Sequence, residues 1–188
     1  MQSAGGRTGR SKYKSFETKE EATKAFEKGY EHYLKTASSS KAAAGLTPKA
    51  PVGKPIWESL CVDAACSGNP GDMEYRGVYP PTMQEIFRIG PLKKGTNNIG
   101  EFLALVHGLA LLKQKGSSLP IYSDSRNAIG WVKKKKCKTL LERVPENEPI
   151  FDMIERAEKW LKTNTYTTPI LKWETSEWGE IPADFGRK

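Results

Sequence analysis

Long apolar runs are missing from this 188-residue chain. Nothing in it approaches the roughly 20 consecutive apolar residues that a membrane-crossing helix needs. The opening MQSAGGRTGR has none of the apolar stretch of a secretory signal. The expectation is therefore a cytoplasmic protein with no membrane partner. Cysteine is scarce: Cys61, Cys66 and Cys137 are odd in number and have no metal-ligand spacing. That excludes a disulfide framework and a thiolate zinc site, and it reads as buried thiols in a reducing compartment. Histidine is scarcer still, with none after His107, which falls inside an apolar helical pattern as a packing or surface residue. Internal repeats are absent. Apolar content is low at 37%, and the shortfall is concentrated at the front of the chain.

Positive charge is what the chain has in excess. The net charge is +8, and residues 1–50 hold ten Lys/Arg against five Asp/Glu, so most of the excess sits in the N-terminal quarter. A basic surface suits phosphate backbones or anionic membranes; mere solubility is the plainer explanation.

Three regions follow from composition. Residues 1–36 form a basic segment with one expected helix, capped by Thr18 with Glu21 three residues on and an apolar stripe of Ala22, Phe26 and Tyr30. Residues 37–55 are rich in Ser, Ala, Gly and Pro and read as a flexible linker. The main domain is expected over 56–188. Within it, strands are predicted at 58–66, 73–80 and 84–91, with the SGNPGD turn after the first. A helix over 98–115 presents Ile99, Phe102, Leu103, Val106, Leu109 and Ala110 on one face. LPIYS gives a short strand, 125–136 a second helix, 148–163 a third, and PILKW a last strand before a short C-terminal helix. This order predicts an α/β fold with helices packed on a five-stranded mixed sheet.

Four carboxylates stand in telling places. Asp63 lies inside the apolar LCVDAAC, where burial is costly without a cation, and the strand supplies none. Glu101 sits three residues after Asn98, so a capping box accounts for it fully. Asp124 ends a strand and could cap the next helix, but strand carboxyl ends are also where sites form in helix-covered sheets. Asp184 and Glu180 are four apart, on one face if helical. Carboxylates that cluster without cations call for a hard divalent metal.

Taken together, VDAACSGNPG, TNNIGEFLALVHGL, IYSDSRNAI and ADFGRK resemble type 1 ribonuclease H in order and spacing, over about residues 57–188. Lacking a basic insertion after the second helix, the chain is similar to the compact bacterial form. KYKSFETKEEATKAF resembles the end of the small hybrid-binding module found upstream in some members, without that module's usual opening half. The resemblance implies a ribonuclease H-like fold: a three-strand antiparallel meander plus parallel strands, flanked by helices. It implies hydrolysis of the RNA strand of an RNA–DNA hybrid by a two-metal mechanism, leaving 5′-phosphate and 3′-hydroxyl ends. The ions would be two Mg²⁺, for which Mn²⁺ could substitute, held by Asp63, Glu101, Asp124 and Asp184, with Glu180 as auxiliary. It assigns 2′-hydroxyl sensing to the Cys66, Ser67, Gly68, Asn69 turn together with Glu101 and the Asp124–Arg126 segment. Asn69, Asn97 and Asn98 would face the two strands across the minor groove. Trp131 would pack on a DNA sugar, and Thr96, Asn98 and Thr139, with Lys172, would hold a DNA phosphate. Two residues depart from the pattern: Cys66 replaces a common serine and Arg126 a frequent glutamine, so altered affinity is expected. The Lys133–Lys136 run reads most simply as a solvated basic helix end favourable to the dipole, with salt-sensitive phosphate attraction as a second reading. A monomer with no obligatory protein partner is expected. The alternatives are a non-catalytic hybrid-binding module, or a nuclease of the same fold for another substrate such as a DNA junction.

Overall fold

The computed structural model describes residues 52–186. The helix expected near Thr18, and all of the 37–55 linker except its last four residues, lie outside them. The described chain folds as β1 (Leu60–Cys66), β2 (Gly71–Tyr79), β3 (Gln84–Gly95), α1 (Asn97–Gln114), β4 (Ile121–Ser123), α2 (Arg126–Lys133), α3 (Glu148–Thr163), β5 (Ile170–Lys172) and the single turn α4 (Thr175–Trp178). The strands form one sheet in the order β3-β2-β1-β4-β5. The β1–β2 and β2–β3 pairs are antiparallel, and β1–β4 and β4–β5 are parallel. This is the expected meander with parallel strands added at its side.

β1 is the central strand and is buried on both faces, which is why its sequence is apolar apart from Asp63. Leu60, Val62 and Ala64 face the main core under α1, α2 and α3. Cys61 faces a smaller cluster of Val78, Tyr122, Trp173, Ile181 and Ala183. α1 lies so close to the sheet that a β-carbon on Gly100 would sit 2.7 Å from Ala64 Cβ. Glycine there permits the approach that sets the helix start over β1.

Several boundaries differ from expectation. β3 runs on past 91 because Gly90, at φ +114°, absorbs a bulge, and pairing resumes at Met73↔Leu92 and Gly71↔Gly95. β2 begins at Gly71 directly after the Asn-Pro turn. α2 stops at Lys133, so three of the four lysines lie beyond the helix. Lys135 turns left-handed at φ 53°, and the chain then docks on α3, where buried Glu158 accepts from Cys137 N at 3.0 Å and pairs with Lys136 Nζ at 3.0 Å. The short C-terminal helix is a single turn, closed after Trp178 by Gly179 at φ +78°. Glu180 and Asp184 therefore sit on an irregular segment that also contains Pro182, not on one helix face.

Candidate metal-binding acidic site and flanking groove

The parallel pairing of β1 and β4 is short, joining only Leu60↔Ile121 and Cys61↔Tyr122. Past Ser123 the β4 chain turns away into α2, and a crevice opens at the carboxyl ends of the two strands. Asp63 stands in that opening, with Asp124 just beyond the end of β4. Glu101 enters from the first turns of α1. One ligand oxygen from each of Asp63, Glu101 and Asp124 lies within 4.8 Å of the others. Asp63 and Glu101 are buried and Asp124 is half-buried. A cavity of about 580 Å³ opens onto this cluster, and Asp184 and Glu180 belong to its wall.

Local hydrogen bonds fix the acids. Asn97 Nδ2 donates to Glu101 Oε1 at 3.3 Å, and Ser123 Oγ donates to Glu101 Oε2 at 3.4 Å. The helix starts are capped by other residues than expected. Thr96, not Asn98, caps α1, its Oγ1 accepting from Ile99 N. Ser125, not Asp124, caps α2, its Oγ accepting from Ala128 N at 3.1 Å. Neither Glu101 nor Asp124 is occupied as a cap, so both carboxylates are left for the crevice.

The electrostatics are those of a site short of positive charge. Burial, opposed by a hydrogen bond from Glu101 and reinforced by the charges of Asp124 and Asp184, pushes Asp63 up to about 7. Burial, with Asp63 and Asp124 beside it, holds Glu101 well above the usual carboxylate range. Asp124 is raised by burial and by Glu180 and Asp184, against the opposing pull of Lys172. Two other acids of the cavity are neutralised at its rim: Arg88 pairs with Glu74, and Lys93 with Asp72 at 2.6 Å. Among the described residues, Asp63, Glu101 and Asp124 make no such ion pair. The unneutralised donors are all carboxylate oxygens, which fits a hard divalent cation rather than a thiophilic one. Cys66 is at the cavity wall, but its Sγ donates to Gly68 O at 2.8 Å and approaches Gly95 O at 3.4 Å.

The other expected contact residues divide between two hollows. Cys66, Ser67 and Asn97 line the acidic cavity. Asn69, Thr96, Asn98, Trp131 and Thr139 line a second groove of about 600 Å³. The turn between β1 and β2 thus separates the two, held by Ser67 Oγ accepting from Asp72 N at 2.8 Å. Gly68 lies exposed on this turn, and Arg126 is exposed at the start of α2; neither lines either of these two hollows. Lys172 is not with the Thr96–Asn98–Thr139 group. It lies on β5, where its charge acts on Asp124 and its Nζ donates to Trp173 O.

Sequence reasoning did not single out Lys138, which completes the second groove, although the lysine run before it was a visible signal. Nor did it find that Ser123 serves Glu101, or that Ser125, read only as part of the Asp124–Arg126 segment, caps α2.

Comparison with known proteins gives a consistent relationship. The RNase H family model matches residues 58–172. Ribonuclease H of Rhodopirellula baltica is 41% identical over 75 residues, 39% of this chain and 46% of that protein. Ribonuclease H of Rippkaea orientalis is 33% identical over 102 residues, 52% of this chain and 62% of that protein. Ribonuclease H of Rickettsia bellii is 31% identical over 137 residues, 66% of this chain and 83% of that protein. The chain thus spans about half to somewhat under two thirds of the length of the first two relatives. Among solved structures, RNase H1 from the halophilic archaeon Halobacterium salinarum NRC-1 is 19% identical, with a TM-score of 0.40 over 63% of this chain and 86% of that one.

Proposed function

The chain belongs to the RNase H family, and we propose that it hydrolyses the RNA strand of RNA–DNA hybrids. The observation that carries this reading is the convergence of Asp63, Glu101 and Asp124 without a neutralising cation, on a cavity that Asp184 also lines. Such a cluster is costly to keep ionised on its own and becomes favourable when divalent cations are bound. In the proposed site, two Mg²⁺, or Mn²⁺ in their place, would be held by Asp63, Glu101, Asp124 and Asp184. The chemistry a bound divalent pair supplies is activation of a water and stabilisation of the leaving 3′-oxygen, giving 5′-phosphate and 3′-hydroxyl ends.

The protein's own residues do the positioning. Asp63 feels the charges of both Asp124 and Asp184 and would be one of the residues holding the metal. Asn97 and Ser123 hold the two oxygens of Glu101 in place, so this carboxylate is pre-oriented before substrate arrives. Glu180 acts electrostatically on Asp124 and is proposed to assist product departure. Cys66, Ser67 and Asn97 on the acidic side, with Glu101, are assigned to the RNA strand and its 2′-hydroxyls. Asn69, Thr96, Asn98, Trp131 and Thr139 on the other side are assigned to the DNA strand. Contacts of this kind read backbone and shape, so little sequence preference is expected. The proposed organisation places this activity in residues 56–188 of a monomeric, cytoplasmic protein, preceded by a basic segment over 1–36 and a linker over 37–55.

The test is direct. End-labelled RNA–DNA hybrid, double-stranded RNA, double-stranded DNA and a four-way DNA junction are incubated with the protein and Mg²⁺. Cleavage confined to the RNA of the hybrid is the expected result. Binding without cleavage, or cleavage of the junction instead, would overturn it.

A further inference from the structure

Arg76 of β2 is the register partner of Asp63 across the β1–β2 ladder. An arginine facing a carboxylate across two strands would ordinarily pair with it. Here the guanidinium is committed elsewhere. Its Nε donates to the carbonyl of Ala183 at 2.8 Å and its Nη2 to the carbonyl of Asp184 at 2.7 Å. Nη1 is drawn outward to Glu85 Oε2 at 3.2 Å. The same guanidinium lies 4.8 Å from the centre of the Phe185 ring, and Arg88 lies 5.2 Å from that ring. Arg88 is itself anchored to buried Glu74. Three successive residues, Ala183 to Phe185, are thus gripped from β2.

That grip matters because the segment has little regular structure of its own. Between Gly179 and Gly186 the chain forms no helix or strand. Its internal support is Asp184 N donating to Ile181 O at 2.8 Å and Gly186 N donating to Asp184 Oδ2 at 2.8 Å. Ile181 and Ala183 are buried against the sheet, which fixes depth but not rotation. A planar fork bonded to two consecutive carbonyls fixes rotation as well, which a lysine ammonium on a flexible stem does poorly.

We propose that Arg76 is a positioning residue that sets Asp184 in register with Asp63, Glu101 and Asp124, while leaving Asp63 itself free of a cation. This rests on the reading of Asp184 as a member of the metal site. Arg76 touches no reacting atom; it acts through the backbone of 183–184.

The test uses the full chain and four variants: Arg76→Lys, Phe185→Leu, Asp184→Asn, and Arg76→Lys with Asp184→Asn. The first readout is amide hydrogen exchange without metal. Arg76→Lys is expected to speed exchange at Asp184 and Gly186 while the amides of β1 and α1 stay protected. Phe185→Leu, which leaves β2 intact, is expected to shift the same amides in the same direction by less. The second readout is Mn²⁺ binding followed calorimetrically, with an expected loss for Arg76→Lys of about tenfold, the lower end of what outer supporting residues contribute to metal sites. In hybrid cleavage, kcat should fall with KM for hybrid unchanged. The double variant should be no slower than Asp184→Asn alone, because both changes act on one group. Unchanged exchange at 184 and 186 in both single variants, or losses that multiply in the double variant, would overturn the role of Arg76. Full activity of Asp184→Asn would instead overturn the placement of Asp184 in the site.

Discussion

A carboxylate oxygen of Asp63 lies within 4.8 Å of one of Glu101, the first from the central strand and the second from the helix laid across it. Two buried acids in that relation share a proton more readily than they share negative charge. In the metal-free protein burial lifts Asp63 to about 7, from 3.8 in an unfolded chain. The sign follows from linkage. Below about pH 4 the group is protonated in both states and its contribution to stability is fully present. Between about 4 and 7 the folded state holds a proton that the unfolded state has lost, so stability falls as pH rises, and it levels off above 7. Glu101 and Asp124 are shifted the same way and add to the slope. Thermal melts in chelator at pH 4.5, 6 and 8 should show this decline. Asp63→Asn should flatten it and raise the pH 8 melting temperature by roughly 2–8 °C for each kcal/mol recovered. Adding Mg²⁺ at pH 8 should stabilise the unmodified protein and not the variant. Parallel melting profiles for the two proteins would contradict this account.

Asp124 offers the clearest separation of binding from turnover. It lies half-buried at the crevice, its charge near Lys172, and it does not support the α2 helix, because Ser125 provides the cap. Asp124→Asn should therefore fold normally and keep its KM for hybrid. kcat should fall at least roughly a hundredfold, equivalent to about 3 kcal/mol of lost transition-state stabilisation. Steady-state kinetics with end-labelled hybrid decides this. A variant that keeps its turnover would remove Asp124 from the chemistry.

Asp63 was the most legible acid in the sequence, because a carboxylate inside LCVDAAC has no local partner and its burial demands an explanation. Glu101 and Asp124 were ambiguous for a physical reason: both motifs hold several side chains able to cap a helix. Only the fold decides that Thr96 and Ser125 take that role. A mixed sheet with helices packed on it followed from element order and apolar pattern, while the strand order and the edges of β3 and α2 did not. Those edges depend on Gly90 absorbing a bulge and on Glu158 drawing the chain after α2 onto α3. The placement of Asp184 was least legible. It rests on Arg76, whose bond to the Ala183 carbonyl spans 107 residues of sequence, and no local pattern announces such a long-range bond.

Lys138 lines the groove shared by Asn69, Thr96, Asn98, Trp131 and Thr139, not the cavity of the acids. Its side chain is exposed, and it forms no hydrogen bond or ion pair among the described residues, so its removal should leave stability unchanged. Lys138→Ala should weaken hybrid binding for all sequences alike, without altering kcat. The slope of log K against log salt should become shallower by about 1, as expected when a single phosphate is no longer neutralised by the protein. Fluorescence anisotropy on labelled hybrid at several salt concentrations measures it. An unchanged slope would place the phosphate path elsewhere.

Two helical glycines give the last prediction, because their surroundings differ. A β-carbon at Gly100 would meet Ala64 Cβ at 2.7 Å and Met73 Cγ at 3.2 Å, whereas at Gly130 it would meet nothing within 4 Å. Alanine is intrinsically favoured over glycine in a helix by about 1 kcal/mol. Gly130→Ala should realise that gain and raise the melting temperature. At Gly100 the clash is with a methyl group carried directly on the β1 backbone, which has no rotamer by which to yield. α1 must therefore lift, at a cost of about 1–3 kcal/mol, and Glu101, the next residue, must move with it. The consequence for turnover is larger than the stability change implies, since a displacement of about 1 Å at a site of this kind can cost on the order of a hundredfold in rate. Melting curves and hybrid cleavage for the two variants, measured side by side, test the pair. If Gly100→Ala matched Gly130→Ala in both, the close seating of α1 on β1 would not be what positions Glu101.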